Sequence, residues 1–319
     1  MLLQKPVQIG TLQIENRLVM PPMQTNKTDR GHVTDELVGY YRDRAVLSRP
    51  GIIITEHSCI AESGRAAEGQ LSLASDELIE EHRRLTDAIR EGGGKAFVQL
   101  NHAGSNGIGE AVSASAVSIP VKKLTRRPRA LAAEEIRRIE EQFAAAALRA
   151  VSAGYDGVEI HCAHGYLLNQ FYSPMTNKRA DEYGGSLENR LRITLETVAL
   201  VRQAIGGIPL AVRLGGADYL PGGSREEDAA EAGRLLEAAG VDLLDLSGGM
   251  CFYMRPGHLE AGYFSSMSEK VKAAVSTPVL LTGGVKKVAA AETLLEDGKA
   301  DLIGVGRALL KDAAWRAEA

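Results

Sequence analysis

Cysteine is scarce. Only Cys59, Cys162 and Cys251 occur in 319 residues, far apart and without a C-x-x-C pair, which argues against a disulfide framework and a clustered cysteine metal site. Long apolar runs are missing too. None approaches the roughly 18 residues needed to cross a bilayer, and the first residues lack the basic-then-apolar order of a signal peptide. A soluble, cytoplasmic protein is therefore expected. Excess positive charge is also absent: 37 Lys and Arg stand against 41 Asp and Glu, for a net charge of −4. Neither nucleic acid nor an anionic membrane is an expected partner. Nor is there an early G-x-G-x-x-G corner between a strand and a helix, which weakens an open doubly wound sheet.

What is present is a regular alternation. With 45% hydrophobic residues the chain can fill one large core. Val7 to Ile14 alternates around Gly10-Thr11, as a short hairpin that plugs a barrel would. Eight β-rich runs then recur: Arg17–Met23, Gly51–Ile60, Lys95–Leu100, Tyr155–Cys162, Ile208–Leu214, Val241–Leu246, Pro278–Thr282 and Asp301–Val305. Helical patterns fall at 34–48, 76–92, 133–153, 186–206, 225–239, 267–276 and 286–297, with another opening near Ala308. Strands alternating with helical crossovers predict a (β/α)8 TIM barrel with an N-terminal β-hairpin. In such a barrel, function sits at the carboxyl ends of the strands.

The most informative stretch runs from Val158 to Arg190. A β-type run turns abruptly polar at His161, His164 and Tyr166, passes through a shaped loop containing Gly184-Gly185, and reaches Ser186 as a helix N-cap. Two imidazoles on one edge can donate to a single substrate oxygen, and a phenol can protonate carbon. The rival readings are a metal site, with Glu159 as a third ligand on the same strand face, and two structural histidines.

The segment HCAHGYLLNQFYSPMTNKRADEYGGSLENR resembles the signature of the Old Yellow Enzyme family, the FMN-dependent ene-reductases and their NADH:flavin oxidoreductase relatives. Further matches in order extend the resemblance over essentially the whole chain, implying one FMN-binding barrel domain over residues 1–319. Pro22 and Met23 match the family's flavin-contacting segment. Gln24 stands where the family usually has Cys or Thr tuning the flavin potential. The resemblance also places His57 beside the flavin, Gln99 at its edge, and Arg213 beside N1 and O2, where negative charge accumulates on reduction. An ion pair with Asp245 is the alternative for Arg213, whereas His102 reads as structural.

The last two strands end in LLTGGV and IGVGRALL, where Gly283, Gly284, Gly306 and Arg307 suit a phosphate. Together with Pro22, Gln99 and Arg213 they point to FMN. Two connecting segments stand out. Residues 101–132 form a long loop with a basic cluster from Lys122 to Arg129, read as solvated surface. Cys251 to Ser266 is aromatic-rich and suggests a substrate lid.

Larger relatives, resembling dienoyl-CoA reductases and trimethylamine dehydrogenase, continue into an iron–sulfur cysteine cluster and further nucleotide-binding domains. The chain carries no such cluster, so NADH or NADPH is expected to reduce the flavin directly. The implied reaction is ping-pong. The dinucleotide reduces FMN and leaves; hydride then passes to the β-carbon of an enone, enal or nitroalkene whose oxygen rests on His161 and His164, while Tyr166 protonates the α-carbon. The alternatives are an NAD(P)H oxidase or dienoyl-reductase-like flavoprotein, a flavin-free phosphate-binding lyase or isomerase, and a non-catalytic flavin-binding subunit. The lyase would want a strand-end lysine, and Lys286 and Lys287 read as helical. A small-molecule substrate is the expected partner, and a homo-oligomer is compatible with the sequence.

Overall fold

The computed structural model describes residues 1–119 and 126–315. In chain order its elements begin with β1 (Val7–Ile9), β2 (Leu12–Ile14), β3 (Leu18–Met20), α1 (Asp35–Leu47), β4 (Ile52–Cys59), α2 (Ile79–Glu91) and β5 (Lys95–Asn101). A middle portion contains β6 (Val112–Ser113), β7 (Arg129–Ala130), α3 (Ala133–Ser152), β8 (Gly157–Cys162), α4 (Leu167–Tyr172) and α5 (Leu187–Ile205). The remainder comprises β9 (Leu210–Ala217), α6 (Glu226–Ala238), β10 (Leu243–Gly248), α7 (Ser265–Lys272), β11 (Val279–Thr282), α8 (Val288–Glu296), β12 (Leu302–Gly304) and α9 (Arg307–Lys311).

Eight of the strands close into a parallel barrel in the order β10-β11-β12-β3-β4-β5-β8-β9. The eight predicted strands are these eight, and the predicted helices fall on α1, α2, α3, α5, α6, α7, α8 and α9. Helix starts follow local chemistry: the Thr34 hydroxyl accepts from Leu37 N and that of Ser186 from Asn189 N, each at 3.2 Å, capping α1 and α5.

Alternation along each strand sorts its residues. Ala96, Val98, Leu100, Val158, Ile160, Val212, Leu214, Leu244 and Leu246 pack outward in a core shared with helix residues such as Phe143, Val198 and Leu236. The opposite faces point to the barrel axis. At its amino-terminal end Val19, Ile52, Ile54, Phe97, Ala211, Leu243, Leu280 and Leu302 form a second core, closed by Ile9 and Ile14 of the hairpin. The hairpin is thus the predicted plug. Its Gly10 adopts φ +53° and lies so close to Asp242 that a Cβ would come within 2.7 Å of that carboxylate. Gly157 has its own reason to be glycine, since the Phe97 ring fills the place of its side chain at 2.3 Å.

Three departures from the sequence reading concern connections. The stretch after Tyr166 is not all loop, because α4 forms there with all six residues buried. Lys286 and Lys287 precede α8 rather than belong to it. The 101–132 loop contains the short parallel pair β6–β7. Part of its basic cluster, 122–125, lies outside the described residues. Arg126, Arg127 and Arg129 are exposed, with Arg126 donating to Gly109 O at 2.9 Å and Arg127 to Ala116 O at 3.1 Å.

Candidate active site

At the carboxyl end of the barrel lies a cavity of about 430 Å³, and all thirteen residues singled out for catalysis or cofactor binding line it. His161, His164 and Tyr166 come from the end of β8 and the turn into α4. Pro22, Met23 and Gln24 follow β3, His57 and Gln99 come from β4 and β5, and Arg213 from β9. Gly283 and Gly284 follow β11, while Gly306 and Arg307 follow β12.

The two histidine rings stand 5.1 Å apart, nearly perpendicular, and the Tyr166 ring is 5.1 Å from His161 and 5.3 Å from His57. A left-handed backbone at His164, φ +57°, turns its side chain back toward the barrel. Burial, reinforced by Arg213 and His57 and for His161 also by His164, holds both imidazoles well below the ordinary histidine range. Each is therefore neutral near pH 7 and presents one N–H and one lone pair. His164 Nε2 is hydrogen-bonded to Ser247 Oγ at 2.7 Å. His161 Nδ1 is buried and has no protein partner among the described residues.

Tyr166 differs from its neighbours. Its hydroxyl has no protein partner among the described residues, and burial pushes its pKa up to about 12, so it stays protonated at neutral pH. A neutral phenol with its O–H free, beside two neutral imidazoles, can hold an oxygen and release a proton. Among the described residues no three His, Cys, Asp or Glu side chains come together as a metal site. In particular, Glu159 points below the histidines and accepts from Gln99 Nε2 at 2.8 Å.

His57 is oriented by amides: Gln70 Nε2 lies 3.0 Å and Asn101 Nδ2 3.1 Å from its Nδ1, leaving the proton on Nε2. Burial lowers its pKa to about 4. His102 is structural as expected, its Nδ1 accepting from Gly104 N at 3.1 Å, outside the cavity. Gln24 reaches Asn26 Oδ1 at 3.1 Å, and Thr25 N donates to the buried Glu56 at 3.1 Å. Arg213 lines the cavity and its Nε also sits 3.1 Å from Asp245, so the ion pair named as the alternative is present while the side chain still borders the cavity.

Sequence reasoning passed over several residues. Thr282 also lines the cavity, and inward alternation from Leu280 was a usable signal for it. Lys286, which the sequence reads as helical, lines it as well. Ser247, Gln70 and Asn101 reach the site histidines only through tertiary contacts. Of the aromatic segment, Tyr253 and Tyr263 line the cavity, whereas Phe264 is core and His258 pairs with Glu260 at 2.6 Å.

The parallel eightfold barrel thus carries at its mouth a neutral histidine pair and a phenol whose hydroxyl has no protein partner among the described residues. The sequence profile of the NADH:flavin oxidoreductase / NADH oxidase family, to which the Old Yellow Enzymes belong, matches residues 2–319, and the chain belongs to this family. It is 37% identical over 318 residues to an NADH oxidase of Thermoanaerobacter brockii, covering 96% of this chain and 49% of that protein. With an NADPH dehydrogenase of Bacillus subtilis it shares 36% identity over 311 residues, covering 96% and 90%. The solved Old Yellow Enzyme homologue from Zymomonas mobilis superposes with a TM-score of 0.84 at 28% identity, over 98% of this chain and 90% of that one. The chain thus spans about half the length of the Thermoanaerobacter relative and nearly all of the Bacillus one.

FMN, with NADH or NADPH as reductant, is the cofactor set that goes with this family. The residues present fit FMN. Arg307 carries a positive charge at the mouth whose side-chain bonds are a long contact to Met254 Sδ and a 3.5 Å donation to Tyr263 Oη, with no carboxylate partner among the described residues. Gly283, Gly284 and Gly306 expose backbone beside it, a combination that suits a phosphate. Gln99 offers both an amide donor and an acceptor, and Arg213 brings a cation to the floor.

Proposed function

We propose that the chain is an FMN-binding barrel unit that takes electrons from NADH or NADPH and reduces activated carbon–carbon double bonds in enones, enals or nitroalkenes. The observation that carries this reading is the convergence of His161, His164 and Tyr166 on one cavity wall, with a free phenol beside the neutral imidazole of His161. Bound FMN supplies the hydride chemistry that side chains cannot.

The chain's own residues do the rest. His161 and His164 donate N–H bonds to the substrate oxygen, drawing electron density from the double bond and making its β-carbon electrophilic. Being neutral, they polarise that oxygen without fully protonating it. Tyr166 gives its proton to the α-carbon, and its high pKa keeps that proton available until negative charge develops there. Ser247 fixes the His164 ring. Arg307 with Gly283, Gly284 and Gly306 holds the phosphate; Pro22, Met23, Gln24, His57, Gln99 and Arg213 border the ring system. A flavin-free lyase gains one supporting observation, Lys286 in the cavity wall, but that reading leaves the histidine–tyrosine set without a task.

The test separates the half-reactions. Tyr166→Phe is expected to leave flavin reduction by NAD(P)H nearly intact and to slow reoxidation by an enone by roughly a hundredfold to ten-thousandfold, about 3–5 kcal/mol. Nitroalkenes should suffer less, because their product anion is stable enough to be protonated later by water. An unchanged enone rate in stopped-flow absorbance removes Tyr166 from the mechanism.

A further inference from the structure

Below the cavity, consecutive strands of the barrel wall contribute one layer of inward side chains: Gln99 (β5), Glu159 (β8), Arg213 (β9), Asp245 (β10) and Thr282 (β11). Gln99, Arg213 and Thr282 reach the cavity lining, whereas Glu159 and Asp245 lie behind it with no solvent exposure. Gln99 donates to Glu159 Oε1 at 2.8 Å, and Thr282 donates to Asp245 Oδ1 at 3.4 Å. Arg213 Nε is 3.1 Å from Asp245 Oδ2 but out of line for a hydrogen bond, so Nε, Asp245 Oδ2 and Glu159 Oε2 are all left without a hydrogen-bond partner. The two carboxyl groups are within hydrogen-bonding reach of each other.

With both acids ionised, the layer carries two negative charges against one positive, and two buried acceptors face each other with no donor between them. Either condition is costly without water. One proton removes both at once. It brings the layer to net zero and turns the facing oxygens into a donor–acceptor pair of the strong, charge-assisted kind. The asymmetry of contacts says where that proton resides: Asp245 sits 3.1 Å from the Arg213 guanidinium, while Glu159 feels that charge without an ion pair to it among the described residues and is hydrogen-bonded to a neutral amide. The remaining titratable groups around Arg213 are His57, His161, His164 and Tyr263, the histidines being neutral.

We propose that Glu159 is a permanently protonated acid in the barrel floor, and that ionised Asp245 is the counter-ion that sets how much of Arg213's positive charge reaches the flavin. The first part stands on the layer's burial, charge count and contacts; the second also rests on the flavin reading given above. Directions of titration agree. Burial, and then Asp245, push the Glu159 carboxyl well above the usual range. Burial raises Asp245 only to about 6, because Arg213 offsets it. Asp245 is a positioning residue, acting through Arg213.

The test compares Asp245→Asn with Glu159→Gln in the flavin-loaded protein. Removing Asp245 leaves Arg213 uncompensated beneath the group that gains negative charge on reduction. The reduced-over-oxidised binding ratio should then rise about tenfold, which is roughly 30 mV for a two-electron couple. Glu159→Gln exchanges one neutral group for another and should move the potential by less than a third of that. Equal rises in both variants would show two ionised acids; a silent Asp245→Asn with a responsive Glu159→Gln would put the proton on the wrong residue. Either result overturns the proposal. Infrared difference spectra of wild type minus Glu159→Gln need no flavin and stand even if Asp245→Asn does not fold. A deuterium-sensitive carboxylic-acid C=O band at neutral pH is expected, and its absence overturns the proposal. Such a band in a protein that takes up no FMN would sink the flavin reading and leave the protonated glutamate standing.

Discussion

The two ends of the barrel are built from the same strands, four residues apart, and they are opposites. At the floor, Phe97, Gly157, Ala211, Leu243 and Leu280 meet the hairpin residues Ile9 and Ile14 in a dry apolar layer. One inward step along each strand gives Gln99, Glu159, Arg213, Asp245 and Thr282; another gives His161 and Ser247. The apolar groups of the lowest layer pack against one another. At the mouth several polar atoms are left waiting, among them His161 Nδ1 and the Tyr166 hydroxyl. The floor holds the fold, and the mouth stores the capacity to bind.

The sharpest way to break this contrast is to damage the floor and ask whether the mouth notices. Phe97→Ala empties the space over Gly157 and should cost about 3–5 kcal/mol of stability, read in thermal or urea unfolding. Affinity for phenol-type ligands should stay within about twofold of wild type in the folded fraction. A large loss of that affinity would mean that the two layers are not separable.

Damage at the mouth should behave in reverse. Replacing His161 and His164 together by Ala removes two donors worth about 0.5–1.5 kcal/mol each, so phenol-type ligands should bind roughly ten- to a hundredfold more weakly. Wild-type turnover should survive exhaustive chelation. Stoichiometric zinc required for activity would return the pair to a metal role. Ser247→Ala probes the support behind His164 and should weaken the same ligands about tenfold with little change in unfolding, while Ser247→Thr, which keeps the hydroxyl, restores part of the loss. Equal losses in both variants would point to packing instead of the hydrogen bond.

A smaller effect lies away from both layers, where Glu140 on α3 faces Glu196 on α5. Burial, then the hydrogen bond to Glu196, raises the Glu140 carboxyl to about 8. The folded state therefore holds a proton that the unfolded chain releases at ordinary carboxylate pH. Its contribution to stability is full below about 4.5 and is lost as pH rises toward 8. Glu140→Gln should flatten that decline, gaining on the order of 1 kcal/mol at pH 8. A variant curve parallel to wild type from pH 5 to 8.5 would show that Glu140 is not the group responsible.

Much of this was legible in the sequence because alternation is a local signal. Each barrel strand was placed within a few residues, and polar residues at strand ends led directly to the cavity wall. What escaped depends on contacts distant in the chain. Helix α4 has no amphipathic pattern, since Leu167 to Tyr172 are buried on every side. Lys286 reads as helical in the sequence because no breaker separates it from α8, yet it lies in the turn that meets the cavity. Ser247 and Gln70 look like ordinary polar residues until the fold sets them against His164 and His57.

Titrating the purified protein with FMN, read by visible absorbance, tests the assignment of the mouth most directly. One flavin per chain with a protein-perturbed spectrum is expected, and binding weakened several-fold or more by Arg307→Ala through loss of a charge-assisted contact. A colourless protein that takes up no FMN under any reconstitution condition would contradict that assignment.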